Sequence, residues 1–147
     1  MRFARDESGQ SVVEFGMVVP ILCTLVLVFV DFGKAMNYWI DLTHVANQGA
    51  RLAAVDLDLS KAPYSSGLSL QQYVQQQAET SELKEATVSI CFPTGDQTAG
   101  SPVTVELAYD YKFIPFINRT ITIRGKATMR LEHQATHFLA SGTCSVP

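Results

Sequence analysis

Twenty consecutive residues, Ser11 to Val30, carry one carboxylate, Glu14, and no basic side chain. At about 1.5 Å per residue, a helix of that length covers about the 30 Å of a bilayer's hydrocarbon core. Inside lipid every backbone N–H and C=O must find its partner within the segment, which a helix achieves by itself. The run is therefore expected to be a transmembrane helix. A secretory signal would combine a short apolar core with a small-x-small cleavage site. Arg2 and Arg5 supply a positive start, but the run passes into Asp31-Phe32-Gly33-Lys34 without an Ala-x-Ala site, which favours retention as an anchor. Two cations before the span against Lys34 after it point the N-terminus to the cytoplasm and the remainder outside.

The helical pattern does not end with the span. Phe32, Ala35, Met36, Trp39, Thr43, Ala46, Ala50, Ala53 and Ala54 recur at spacings of three and four, with Lys34, Asn37, Asp41, His44, Asn47, Gln48 and Arg51 between them. One helix from about Gln10 to about Val55, about 70 Å long, is predicted to begin wholly apolar and become amphipathic. Residues 56–67, with Pro63, Ser65, Ser66 and Gly67, break the pattern as a loop. Leu70, Tyr73, Val74 and Ala78 then share one face of a second, shorter helix among five glutamines.

Three alternating segments follow. Val88, Ile90 and Phe92 share a side, as do Val103, Val105, Leu107, Tyr109 and Tyr111, and again Ile121, Ile123, Ala127, Met129 and Leu131. Thr104, Glu106, Asp110, Thr122, Arg124, Lys126, Thr128, Arg130 and Glu132 alternate with the last two sets. Period-two alternation over consecutive runs predicts an antiparallel meander of three strands, or slightly more, with one buried and one wet face. Its apolar face needs a cover, which the amphipathic half of the first helix and the second helix beside it would provide. The fold class is α+β: a long transmembrane and amphipathic helix, a short helix and a meander forming a head. The expected domains are 10–30 in the membrane, 31–55 as the extension and 56–147 as the head.

Composition narrows the function. Beyond residue 30 there are 11 acidic and 9 basic residues with no basic run, so nucleic acid, which needs a concentrated positive face, is not an expected partner. No Cys-x-x-Cys, Gly-rich phosphate loop or Gly-x-Ser-x-Gly elbow is present. His133 and His137 have metal-compatible spacing only on a helix, and the strand pattern reaches Leu131. No enzyme, cofactor or metal is expected. Cys23 lies in the span, leaving Cys91 and Cys144 as a pair in the exported part, either bridged or as two free thiols. A bridge would close a loop of about 54 residues and contribute on the order of 4 kcal/mol. Because Cys91 falls on the polar side of its strand, the tail would then have to cross the outer face or an edge. Asn118-Arg119-Thr120 fits a glycosylation sequon, a triplet that also arises by chance.

Glu14 is the residue a lipid-buried helix does not explain, since a carboxylate there costs a few kcal/mol unless paired or neutralised. It stands five residues after Gly9, beside Phe15 and ahead of the apolar run. Gly9-Gln10-Ser11-Val12-Val13-Glu14-Phe15 resembles the class III signal of type IV pilins and pseudopilins. Asp31-Phe32-Gly33-Lys34 and Gly49-Ala50-Arg51-Leu52-Ala53-Ala54 narrow the resemblance to the TadE-like pseudopilins of tight-adherence (Tad/Flp) pilus systems.

That resemblance implies a leader at 1–9, removed by a prepilin peptidase between Gly9 and Gln10, and a mature N-terminal amine that is N-methylated. Glu14, with Phe15 beside it, would set subunit register by pairing with a neighbour's amine. It also implies a pilin-like head, and as partners other pilins and pseudopilins, an inner-membrane assembly platform and the lipid bilayer. The location would be the bacterial cytoplasmic membrane, with passage into an extracellular adhesive pilus. The residues alone leave a second reading, a permanently anchored, uncleaved periplasmic binding module.

Overall fold

The computed structural model describes residues 7–61, 63–64, 67–113, 119–138, 140 and 144. Arg2, Arg5, Ser65, Ser66, Asn118 of the sequon and most of the tail lie outside the described residues. The chain divides into two compact units, Met1–Lys34 and Ala35–Pro147.

The first unit consists of the start of helix α1 (Glu7–Ala54). From residue 9 to residue 30 its side chains are exposed, Val19 alone being half-buried. Pro20 has no N–H to give the helix, and the Thr24 hydroxyl donates to the Pro20 carbonyl at 2.8 Å, so that polar side chain is satisfied locally.

The second unit holds the hydrophobic core. It contains the remainder of α1, helix α2 (Leu70–Gln76), a 3-10 turn (Ser81–Glu85) and strands β1 (Thr87–Cys91), β2 (Pro102–Lys112) and β3 (Thr120–Arg130). The strands form one antiparallel sheet in the order β1-β2-β3. The expected α+β meander is therefore observed, with strand boundaries within one residue of the alternation. The 3-10 turn is an addition, too short for periodicity to reveal.

Ser69 begins α2 with a reciprocal cap, its hydroxyl accepting from the Gln72 N–H at 3.3 Å while the Gln72 side chain accepts from the Ser69 N–H at 3.1 Å. Val103, Val105 and Leu107 of β2 are fully buried, with Leu42, Val45, Ala46, Ala50 and Ala53 of α1 in the same core. At Gly125 the two layers meet with no room for a side chain. A Cβ placed there would lie 2.6 Å from the Thr43 backbone nitrogen and closer still to the Leu42 carbonyl carbon. Only a residue without a side chain allows β3 and α1 to meet.

The outer face departs from expectation. Thr104 and Glu106, placed by alternation on the wet side of β2, are buried. Glu106 accepts from Arg124 at 3.0 Å, and Thr104 shares a hydroxyl hydrogen bond with Thr128 at 2.8 Å. Cys144 lies over this face, its Sγ 3.8 Å from the Thr104 carbonyl oxygen, in a disulfide with Cys91 whose Cα atoms are 6.0 Å apart. Alternation predicts which side a residue takes, whereas a disulfide laid on that side and polar partners from the next strand can dry it.

Candidate functional site

Gly9, Gln10, Glu14 and Phe15 all lie on the first turns of α1 and are exposed. A Cβ added at Gly9 would meet nothing within 4 Å, so packing within the chain does not require glycine there. Gln10 and Glu14 are one helical turn apart, and the Gln10 amide donates to Glu14 Oε1 at 3.0 Å. The carboxylate is thus held by its own helix, and Phe15 beside it projects outward with 71% of its surface exposed.

A second polar cluster lies in the head, where α1 ends. Asp56 has φ 49°, a left-handed conformation rarely taken by a residue with a side chain. Its N–H bonds to the Ala53 carbonyl at 3.1 Å and the Leu57 N–H to the Leu52 carbonyl at 3.2 Å, the pairing that closes a helix through a left-handed residue. Glycine would suit that backbone better. The aspartate offers a carboxylate instead. Asp56 Oδ1 accepts from the Thr136 and His137 N–H groups, each at 3.0 Å, and Oδ2 accepts from the Thr136 hydroxyl at 2.6 Å and lies 2.8 Å from His137 Nδ1. One carboxylate therefore fastens a segment 80 residues further along the chain to the end of α1. His137 Nε2 lies 3.5 Å from Asp58, which is also held by Lys61 at 3.1 Å.

Burial pushes the Asp56 carboxyl up, but the hydrogen bonds from Thr136 and His137 outweigh it and bring it down to about 2. The Ser60 hydroxyl and N–H, with Lys61, lower Asp58 to about 2 as well. A carboxyl held below its ordinary value stabilises the fold fully above that value, and the contribution is lost as pH falls through the folded one. The clasp at Asp56 is accordingly expected to contribute about 2 kcal/mol at neutral pH and to lose it between about pH 4 and about pH 2. Asp56→Asn keeps the shape and tolerates the left-handed backbone, but lacks the charge. It should melt lower than the native protein at neutral pH and show a flatter acid limb in a melting-temperature profile. Parallel profiles for the two proteins would show that the clasp carries no charge-dependent stability.

Comparison with protein-family models matches residues 9–51 to the family described as TadE-like protein. This segment is TadE-like. The match begins at Gly9, includes Gln10, Glu14 and Phe15, and ends at Arg51, inside the helical part of the second unit. Comparison with curated proteins and with solved structures returned no match. The TadE-like segment contains a stretch long and apolar enough to cross a membrane, with mean hydropathy 2.5 and none of it buried. By length and composition such a helix is consistent with a membrane anchor.

The structure brings Gln10 and Glu14 together and joins Cys91 to Cys144. His44 is exposed and shares a hydrogen bond with Gln48 at 2.8 Å. His133 and His137 are not on a helix, and among the described residues no group of His, Cys, Asp and Glu fits a metal ion. Sequence reasoning missed the Asp56 clasp. The only local signal for it was an aspartate where a helix of this pattern ends, a position that glycine or asparagine usually takes.

Proposed function

We propose that the chain is a minor pilin or pseudopilin that takes part in assembling a Tad-type pilus used for adhesion, and that a prepilin peptidase cuts it after Gly9. The carrying observation is the TadE-like match over residues 9–51, which starts at the glycine that the cut requires. On this reading α1 crosses the cytoplasmic membrane and holds the subunit there, with the head outside, until it joins other pilins and pseudopilins at an assembly platform.

The chemistry of the N-terminal turns supports the reading. Gln10 already approaches Glu14 at 3.0 Å, and cleavage would turn Gln10 into the first residue of a 138-residue chain with a free or methylated amine. A positive amine from a neighbouring subunit would neutralise Glu14 in lipid, where an isolated carboxylate is costly, and fix how far adjacent helices slide. Gly16 and Gly33 leave open space on α1 for such an approach.

The mass of the protein extracted from membranes of a cell carrying the peptidase tests this. Loss of residues 1–9 is expected from the native chain, and Gly9→Val should retain them. Glu14→Ala should be cut normally yet be absent from sheared pili. A native chain of full length would overturn the processing claim, and normal incorporation of Glu14→Ala would overturn the register claim. A permanently anchored binding module is the second reading. Two clefts of about 270 and 500 Å³ flank His137 in the head and favour it. It requires the uncut mass.

A further inference from the structure

Among its described residues, the second unit leaves six large apolar side chains exposed: Met36, Trp39, Ile40, Val55, Tyr64 and Ile121. Four of them gather at one end. Met36, Trp39 and Ile40 share a face of α1 at the three- and four-residue spacing, in the turn where the helix enters this unit. Tyr38 in the same turn packs edge-on against Tyr109 and Tyr111, with ring centres 5.8 and 5.5 Å away, and Tyr111 pairs across the sheet with Ile121. This end therefore carries the last residues of β2 and the first of β3. Phe113 N–H bonds to the Arg119 carbonyl at 3.2 Å, and Phe113 packs on Tyr111 at 5.3 Å.

The exposed surface is also banded. Trp39 and Ile40 are 48% and 58% exposed, whereas one to two turns further along α1 the exposed residues are His44 and Asn47. Lys112 and Arg119, both exposed, stand at the end of β2 and just ahead of β3 on this side. An apolar band containing a tryptophan, edged by cations and giving way to polar side chains, has the composition of a bilayer's headgroup layer contact. There aromatic rings settle at the boundary and Lys and Arg meet anionic lipid.

We infer that this end of the head is a docking surface for the headgroup layer of an anionic bilayer, through Met36, Trp39, Ile40 and Ile121 with Lys112 and Arg119. The inference rests on the reading that α1 crosses that bilayer, and chain continuity selects lipid as the occupant. Met36 follows the apolar run's last residue, Val30, by only six residues, so at most about 22 Å of chain tethers one to the other. An apolar patch so near lipid meets it before any soluble partner, and the two cations match anionic headgroups. Docking would limit the head's tilt while the subunit waits in the membrane, and release from lipid would expose the patch only on departure.

Trp39 is the only tryptophan of the chain, which makes the test direct. The full-length protein is reconstituted in phosphatidylethanolamine–phosphatidylglycerol vesicles containing lipid brominated near the headgroup end of its acyl chains. Two reporters are built on Trp39→Phe: one adds Ile121→Trp, the other Phe29→Trp in the apolar run. Docking predicts that bromolipid strongly quenches the position-121 reporter and that aqueous iodide quenches it several-fold less than free tryptophan. Adding Lys112→Glu and Arg119→Glu, both at exposed positions, should at least halve its bromolipid quenching without affecting the position-29 reporter.

Quenching at position 29 with a position-121 reporter blind to bromolipid and open to iodide would overturn docking and leave the span intact. If bromolipid quenches neither, the span reading fails and docking with it. Iodide protection at 121 without bromolipid quenching, rising with protein density, would assign the surface to a second protein copy and overturn the lipid assignment. Unchanged quenching after both charge reversals would overturn the role of the cations. Native-like circular dichroism of the reporters confirms that each result is read from a folded head.

Discussion

Replacing both Cys91 and Cys144 by serine is expected to lower the stability of the head by about 4 kcal/mol, a fall of about 15 °C in melting temperature. The bridge joins residues 53 apart, so its loss frees a long loop in the unfolded chain. It also frees Cys144 from the outer face of β2, where its sulfur lies 3.8 Å from the carbonyl oxygen of Thr104, itself 1% exposed, with Glu106 beyond at 4%. Glu106 keeps Arg124 as a partner at 3.0 Å, so its burial becomes looser rather than unpaired. The neighbouring segment should stay in place, because Thr136 and His137 are held by Asp56 independently of the tail's sulfur. Thermal melting of the detergent-solubilised protein with and without reductant checks this. The free thiol Cys23 is changed to alanine throughout to prevent exchange. A melting temperature indifferent to reductant would show that loop closure adds nothing here.

Gly125→Ala should be as damaging for the opposite reason, an atom added where none fits. The new Cβ would fall 2.6 Å from the Thr43 nitrogen and still nearer the Leu42 carbonyl. These are backbone atoms of a helix whose Leu42 side chain is wholly buried, and no rotamer change can move them. Helix and sheet must separate, at an expected cost of at least about 3 kcal/mol, the upper range of overpacking. Gly49→Ala provides the comparison. There the added Cβ would meet Val74 and Val105 methyl groups at 3.0 to 3.2 Å, side-chain ends that can shift, and alanine favours the helix. That variant should lose no more than about 1 kcal/mol. The checkable outcome is the order of melting temperatures, native above Gly49→Ala and both well above Gly125→Ala. Equal losses at the two glycines would mean that α1 can move away from the sheet freely.

These two positions also separate what periodicity could and could not reveal. The long helix, the short helix and the three strands follow from spacings of 3.6 and 2, which are properties of neighbouring residues and are written directly into the chain. The same holds for the apolar run, for Glu14 standing one turn after Gln10, and for Cys91 and Cys144 as the sole pair outside that run. Gly125 sits in a regular strand, and nothing near it in sequence shows that a helix backbone 82 residues earlier comes within contact of it. Sequence placed Gln10, Glu14 and Phe15 at the start of one helix, but could not place the head's own polar cluster at all.

By itself, then, the sequence determined the two helices and three strands, the fold class, the sides of the strands and the TadE-like character of residues 9–51. Those features depend on local backbone preferences and on burial pattern, which residues a few positions apart report together. Only the tertiary structure decided that an aspartate in a left-handed turn would clasp Thr136 and His137, that Thr104 and Glu106 would be dry, and that Gly125 admits no side chain. Each of these depends on distant segments meeting, and the free energy of such a meeting belongs to the pair rather than to either stretch of sequence.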